Sequence, residues 1–512
     1  QKYGYGAYGV VASADGNAVV ASSGAIEVVS GGVGAGIAAL SFGGDAGVTN
    51  AGDIDVTATA FGYYGATGIL AFAGNGAAVV QNSGSVSATW EGSLGASARA
   101  VDAQGQQGAT VINSGELYAN GKYAYGVYAA SAGGDVAVGN AATGEIGFYS
   151  YTGMGFGVLG IATLGDVDVV NEGMIEGYAY GQSAGVFAVA SAGDAAVHNA
   201  GTIDVTSGGN LAVGVFARAD LGTATITNAG DVVASNFPGT AYTGYMAYGL
   251  FARGAYAEAG NSGSILAEGN YYANGIIARS TDGTTVATTA GSEIEATAQL
   301  VAIGIEARAE DGDVVVQNGG DITVEGTYGG GVGVQAYSLM GDVGVASGGD
   351  VAATSTYGMA IGLSGYSIYA NTAVSNSGSV QASGDIGAYG ISALSYLGDV
   401  TVTNTGEVSA ESPATAIAII ADAYGDVTIG NTGDITASAD AGGLAAAVSM
   451  TSATGTSTLN NAASGNISVA QGAYAVLGSE AEDTINNAGE ITGSITLYGG
   501  DDTINNGSGG LL

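Results

Sequence analysis

The sequence has no cysteine, 2 prolines, a single histidine and only seven lysine or arginine residues among 512. Without cysteine there is no disulfide framework, and with one histidine a zinc centre has too few ligands. Seven cations cannot supply the long basic face that nucleic-acid binding requires. No run reaches the roughly 18 consecutive apolar residues of a membrane helix, so no membrane span is expected. No positively charged leader with an apolar core follows Gln1, so the chain is expected either to be non-exported or to be a mature form. Scarcity of proline fits a chain whose backbone N–H groups are nearly all needed in sheet ladders. Charged residues are only 10%, yet 45 acids against 7 bases give a formal net charge of −38. With 47% hydrophobic residues the chain still has enough apolar content to fold.

What is present is repetition. The motif N-x-G-x-I/V recurs from Asn50, Asn82, Asn113, Asn199, Asn228, Asn261, Asn376, Asn404, Asn431 and Asn487. Degenerate copies begin at Ser22, Asn140, Asn171, near Ala290, and at Asn318, Ser347 and Asn461. The 17 copies from Ser22 to Asn487 give 16 intervals over 465 residues, about 29 residues each. A second signal, G-I/L/V-x-A/G, lies halfway between, as at Gly126, Gly157, Gly185, Gly214, Gly304 and Gly362. A third, G-D-V-x-V, stands just before the Asn, as in Gly165-Asp166-Val167-Asp168-Val169. Each repeat therefore reads as three short strands with alternating apolar residues, separated by Gly, Asn and Asp turns. One copy cannot bury its apolar face, but stacked copies bury a continuous core. The expected fold is all-β: a single parallel β-helix, or β-solenoid, of about 17 coils, three strands per coil and right-handed sense. Regular repeats are expected over residues 1–480, with shorter rungs over 481–512, where the Asp-Thr-Ile-Asn-Asn spacing falls to 19 residues.

The turns Asn82-Ser83-Gly84-Ser85-Val86 and Asn404-Thr405-Gly406-Glu407-Val408 resemble those of β-helical passenger domains of Gram-negative autotransporters and filamentous-haemagglutinin-like surface proteins. The run Glu482-Asp483-Thr484-Ile485-Asn486-Asn487 and its repeat Asp501-Asp502-Thr503-Ile504-Asn505-Asn506 look like the end of a passenger stem. The resemblance implies secretion, an extracellular or bacterial cell-surface address, and a role in adhesion, aggregation or coating. Such autotransporters continue into an outer-membrane barrel whereas this sequence stops at Leu512, so a cleaved barrel or a different export route is expected. Absence of cysteine fits a chain that crosses an oxidising periplasm unfolded.

A regular solenoid converts sequence positions into columns. The Asn column is expected to form a structural amide ladder. The position before the Ile carries Asp53, Glu116, Glu145, Asp231, Glu293, Asp321, Asp350, Glu407, Asp434 and Glu490. Stacked carboxylates ~4.8 Å apart repel by roughly 1 kcal/mol per pair in water. They read either as a solvated acidic face or as a column that Ca2+ could neutralise, the one cofactor in view. Arg218, Arg253, Arg279 and Arg308 each follow the third-strand glycine by four residues. They form a candidate docking stripe for an acidic partner, or pair locally with Asp220, Asp282, Glu310 and Asp311. Aromatic residues gather between the second and third strands: Tyr63, Tyr64, Trp90, Tyr123, Tyr125, Tyr178, Tyr180, Tyr242, Tyr245, Tyr248, Tyr271 and Tyr272. This candidate seam serves lateral self-association or sugar stacking, or simply covers corners of a thin core.

Catalytic constellations are lacking. A Ser-His-Asp site would have to centre on His198, which sits in a regular strand and reads as a surface residue. Carboxylate pairs occur anywhere among 45 acids and so carry no information. The expectation is a non-enzymatic surface protein, a rigid rod that self-associates into a filament, sheath or coat, with itself as main partner. A host- or surface-binding adhesin acting as single rods on surface glycans is the alternative, and a polysaccharide-degrading β-helix enzyme the third reading.

Overall fold

The computed structural model describes residues 6–59, 65–92, 96–236, 245–470 and 472–512. The chain folds as an all-β parallel solenoid of about 16 turns with about 29 residues per turn. It divides into two compact units: an N-terminal unit, Gln1–Glu258 with Ser264–Leu266, and a C-terminal unit, Ala259–Gly263 with Ala267–Leu512.

Three strand stacks repeat within each unit. In the coil that starts at Val136, the first strand is Val136–Asn140, the second Glu145–Ser150 and the third Gly155–Ala162. Each strand pairs in parallel with its counterpart one coil on, without a register shift in the regular coils. In the N-terminal unit Val138, Val169, Val197 and Ile226 align in the first stack. Ile146, Ile175, Ile203 and Val232 align in the second, and Val127, Val158, Val186 and Val215 in the third. All these aligned residues point inward and are essentially inaccessible. In the C-terminal unit Ile305, Val334, Leu363 and Ile391 repeat the third-stack column, equally buried. Parallel register keeps like above like, so the branched side chains interdigitate coil upon coil.

The recurrent third-strand glycine has a steric cause. A Cβ on Gly185 would overlap Cγ2 of Ile203 on the second strand of the next coil. It would also press on the Gly214 carbonyl oxygen of the next coil at 2.7 Å. The interior is slim at that point, which is why the column carries only glycine or alanine, the latter at Ala100, Ala418, Ala447 and Ala475.

Corners are held by short polar side chains. Ser41 Oγ donates to the Gly16 carbonyl of the previous coil (2.6 Å) and accepts from the Gly44 N–H (2.9 Å). Ser338, Ser367, Ser395 and Ser452 repeat the arrangement in the C-terminal unit. The aspartate that precedes the first strand also acts across coils. Asp166 Oδ1 accepts the N–H of Asp194 at 2.8 Å, and Asp194 Oδ1 that of Thr223 at 2.7 Å. Asp313, Asp342, Asn371, Asp399 and Asp426 form the same chain in the C-terminal unit. Part of the acidic excess is thus turn chemistry, with each carboxylate satisfying a backbone donor that would otherwise go unpaired.

At the C-terminal end the rungs shorten. Asp483–Asn487 pairs with Thr503–Asn506 in register, Asn487 opposite Asn506.

Candidate functional site

The asparagine column is bonded within itself. In the N-terminal unit Asn50, Asn82, Asn113, Asn140, Asn171 and Asn199 each donate Nδ2–H to the Oδ1 one coil on, at 2.7–3.0 Å, ending at Asn228. The second Nδ2 hydrogen goes to a nearby glycine carbonyl, Gly52 for Asn50 and Gly201 for Asn199. In the C-terminal unit Asn376, Asn404, Asn431, Asn461 and Asn487 continue likewise to Asn506, at 2.8–3.0 Å. Asn261 bonds the Gly263 carbonyl at 3.1 Å. Both amide hydrogens are committed to the fold, so this buried column has no donor to offer a ligand. The ladder is shorter of donors at Ser347. Its hydroxyl donates to the Gly349 carbonyl at 3.3 Å, and Oδ1 of buried Asn376 is left without a partner.

The acidic column before the second-strand Ile lies outward. Glu116 and Glu145 are neighbours in register, as are Glu293 with Asp321 and Glu407 with Asp434. Ser264 Oγ donates to Asp231 at 3.0 Å. Among the described residues no group of three or more His, Cys, Asp or Glu is placed to hold a metal ion.

The four arginines are largely occupied at home. Arg218 Nε bonds Asp220 at 2.6 Å, and Arg279 Nη2 bonds Glu306 of the next coil at 2.6 Å. Arg308, beside Arg279 in register, lies over the Tyr337 ring at 4.9 Å. Arg253 is exposed on the third strand of its coil. Exposed pairs of this kind contribute under about 1 kcal/mol each, but they do neutralise charge that docking would need. His198 is exposed, and its register neighbours are Val170 and Thr227.

Aromatic residues do not form one corner seam. Tyr63, Tyr64 and Tyr242 lie outside the described residues. Trp90 is 1% exposed and Tyr245 7%, so both belong to the interior, and Trp90 Nε1 has no acceptor. Tyr180, Tyr271 and Tyr272 are exposed, and Tyr123 lies under Lys122 Nζ at 5.8 Å. In the C-terminal unit Tyr328 and Tyr357 stack at the corner between the second and third strands, and Tyr337 and Tyr366 meet on the third stack, each pair 5.5 Å apart. In the N-terminal unit aromatic residues gather on outer strand faces in two places.

The first is on the third stack. Tyr125 stacks on Phe156 at 5.6 Å, and Phe156 meets Phe187 edge to face at 5.5 Å. Phe187 stacks on Phe216 at 4.4 Å, and Phe216 meets Phe251 at 5.1 Å, with Tyr248 beside it at 5.8 Å. Leu159, Ala184 and Val213 fill the spaces between the rings. Phe156, Phe187 and Phe216 occupy outward positions of G-V-x-A-type strands, and no loop count singles them out. At the near end Arg99 pairs with Asp102 and lies over Tyr125 and Tyr128, at 5.5 and 4.6 Å. Burial pushes the Tyr125 phenol above its usual range despite the opposing charge of Arg99.

The second is a groove of about 500 Å³ on the second stack, lined by Tyr118, Tyr149, Tyr178, Glu145, Glu176 and Asp204 among others. Tyr149 and Tyr178 are register neighbours with rings 5.5 Å apart and 23° from parallel. Burial, helped by Tyr149, raises the Tyr118 and Tyr178 phenols. Packing also desolvates the inner side of Asp204 and raises its carboxyl, while its outer edge stays exposed.

No family model matches the chain, and no curated protein or solved structure is significantly similar to it.

Proposed function

We propose that this protein is a non-enzymatic structural or adhesive protein that associates with copies of itself through the aromatic row on the third stack of its N-terminal unit. The observation that carries the reading is the ring sequence Tyr125, Phe156, Phe187, Phe216 and Phe251, one or more per coil, on the outside of the solenoid. The row is an apolar cluster outside the main interior, with Phe156 buried and Tyr125, Phe187 and Phe216 half-buried, and the part of it left uncovered is apolar surface of the kind that marks an interaction site. Repeated at each coil, it offers many weak contacts in one direction, which add up to avidity between aligned copies. Phenylalanine and tyrosine supply contact area at low entropic cost. The remaining surface is acidic, so copies repel except where the apolar row is matched.

The likeness of the N-S/T-G-x-I/V turns to autotransporter passengers and haemagglutinin-like proteins supports a secreted, bacterial cell-surface address, and an extracellular filament, sheath or coat as the product. Sedimentation velocity and electron microscopy of the purified chain test the reading. Concentration-dependent assemblies are expected, and a monomer at every concentration would count against it.

A further inference from the structure

The groove on the second stack is a different surface with different chemistry, and the self-association reading leaves it unused. Its outward residues form a small lattice. One column runs Tyr118, Gly147, Glu176, Asp204, and the next runs Asn120, Tyr149, Tyr178, Thr206. Gly147 is the gap in this lattice. A Cβ there would crowd the Tyr118 ring at 2.9 Å, so the glycine lets that ring lie down over the strand and opens the floor beside it. Gly177 acts one layer below. It points inward, and a side chain on it would overlap the Phe148 ring, so the buried Phe148 supports the groove from beneath. The hollow at Gly147 therefore has Tyr118 and Glu176 at its two ends along the solenoid, and Tyr149 and Glu145 at its sides.

Three features restrict what fits. The lining has no cation but carries the carboxylates of Glu116, Glu145, Glu176 and Asp204, so an anionic ligand is repelled. The rings of Tyr149 and Tyr178 stack on one another, 23° from parallel, rather than angling inward, which makes a stepped aromatic ridge and not a cage for a single ammonium group. The single step between the two rings is 5.5 Å, close to the advance of one ring in an extended pyranose chain. Flat apolar faces of pyranose rings pack on aromatic platforms, while carboxylates and phenols take up the ring hydroxyls as hydrogen-bond partners.

We propose that this groove binds a linear glycan free of acidic sugars, with the stacked Tyr149 and Tyr178 as its aromatic contact and Glu176 and Asp204 as hydroxyl acceptors. The ligand runs along the solenoid across the coils that contain Tyr118, Tyr149 and Tyr178. Asn120 and Thr206 close the tyrosine column at its two ends with neutral polar side chains.

Titration calorimetry with the full chain tests this against four probes: cellohexaose, chitosan hexamer, oligogalacturonate and hexalysine. Binding of cellohexaose or chitosan hexamer, with oligogalacturonate at least tenfold weaker, is expected. Tyr149→Ala with Tyr178→Ala should weaken that binding at least tenfold. Glu176→Gln with Asp204→Asn keeps shape and removes charge, and should also weaken it at least tenfold while thermal unfolding is unchanged. The proposal is overturned if neither non-acidic glycan binds, if hexalysine alone binds, if oligogalacturonate binds as tightly, or if either double variant binds like the parent. The aromatic row takes no part, so Phe187→Ser with Phe216→Ser should bind the glycan as the parent does. Loss of assembly and loss of glycan binding are then separate results.

Discussion

The third strand stack appears in both units with one interior and two exteriors. In the N-terminal unit the inward Val127, Val158, Val186 and Val215 are followed by outward Tyr128, Leu159, Phe187 and Phe216. In the C-terminal unit the inward Ile305, Val334, Leu363 and Ile391 are followed by outward Glu306, Gln335, Ser364 and Ser392. The preceding glycine, the parallel ladder and the burial are the same. The C-terminal coils form the same stack with Glu306, Gln335, Ser364 and Ser392 at that position and Tyr337, Tyr366 and Leu394 two residues on, so the fold does not need phenylalanines at the first outward position. What the N-terminal face carries beyond its sister is therefore best explained by a partner.

The largest expected effect tests the shared interior. Ile203→Ala in the N-terminal unit and Ile322→Ala in the C-terminal unit each remove a fully buried branched chain. Each should cost about 2–5 kcal/mol in urea unfolding, by equal amounts. A marked inequality would break the claim that the interiors are equivalent. Next in size, Gly185→Ala and Gly304→Ala press on Ile203 and Ile322 respectively. Each should cost about 1–3 kcal/mol from overpacking. In the Ile203→Ala background Gly185→Ala should cost clearly less, because Cγ2 is gone; a double-mutant cycle without coupling would refute that cause.

A smaller effect sharpens the difference between the two amide ladders. Ser347→Asn should supply the missing donor to Asn376 and raise stability by about 1 kcal/mol. Asn199→Ser, in the unbroken ladder, should lower it by about 1–3 kcal/mol, since it strands Asn171 and Asn228. Differential scanning calorimetry distinguishes the two signs. The smallest effect concerns pH. Asp483 occupies an inward first-strand position, in register with Ser457, and burial raises its carboxyl above the ordinary 3.8. Hydrogen bonds from Ser479 oppose that shift, and the charge of Asp502 adds to it. The folded chain holds this proton to a higher pH than the unfolded chain, so stability from this group falls as pH rises through the window above 3.8. Asp483→Ser should flatten the pH dependence of the unfolding midpoint over that window, and an unchanged slope would contradict the assignment.

The solenoid was legible because its period is written in the spacing of Asn50, Asn82 and Asn113, and because glycines recur in phase at Gly185 and Gly214. The aromatic surfaces were not, for a physical reason. Tyr178, Tyr245 and Trp90 are neighbours in composition but differ in which way the strand points them, and alternation sends Trp90 inward. Phe187 and Phe216 are one coil apart in register and Phe156 meets Phe187 diagonally, so their contact exists only once register is fixed. Arginine spacing correctly places Arg279 beside Arg308. It does not reveal that Glu306, a coil away, takes up the Arg279 charge. The cross-coil role of Asp166 and Asp194 was equally hidden, because the acceptor's partner is a backbone group of the next coil.

The central claim is that the phenylalanine row of the N-terminal unit drives association. Sedimentation velocity of the full chain over a wide concentration range, comparing the parent with Phe187→Ser and Phe216→Ser together, tests it most directly. Concentration-dependent assembly of the parent is expected, with a folded monomer for that variant and parent-like assembly when Gln335→Ser and Tyr389→Ser alter the C-terminal face instead. A parent that stays monomeric throughout, or a phenylalanine variant that assembles as the parent does, would contradict it.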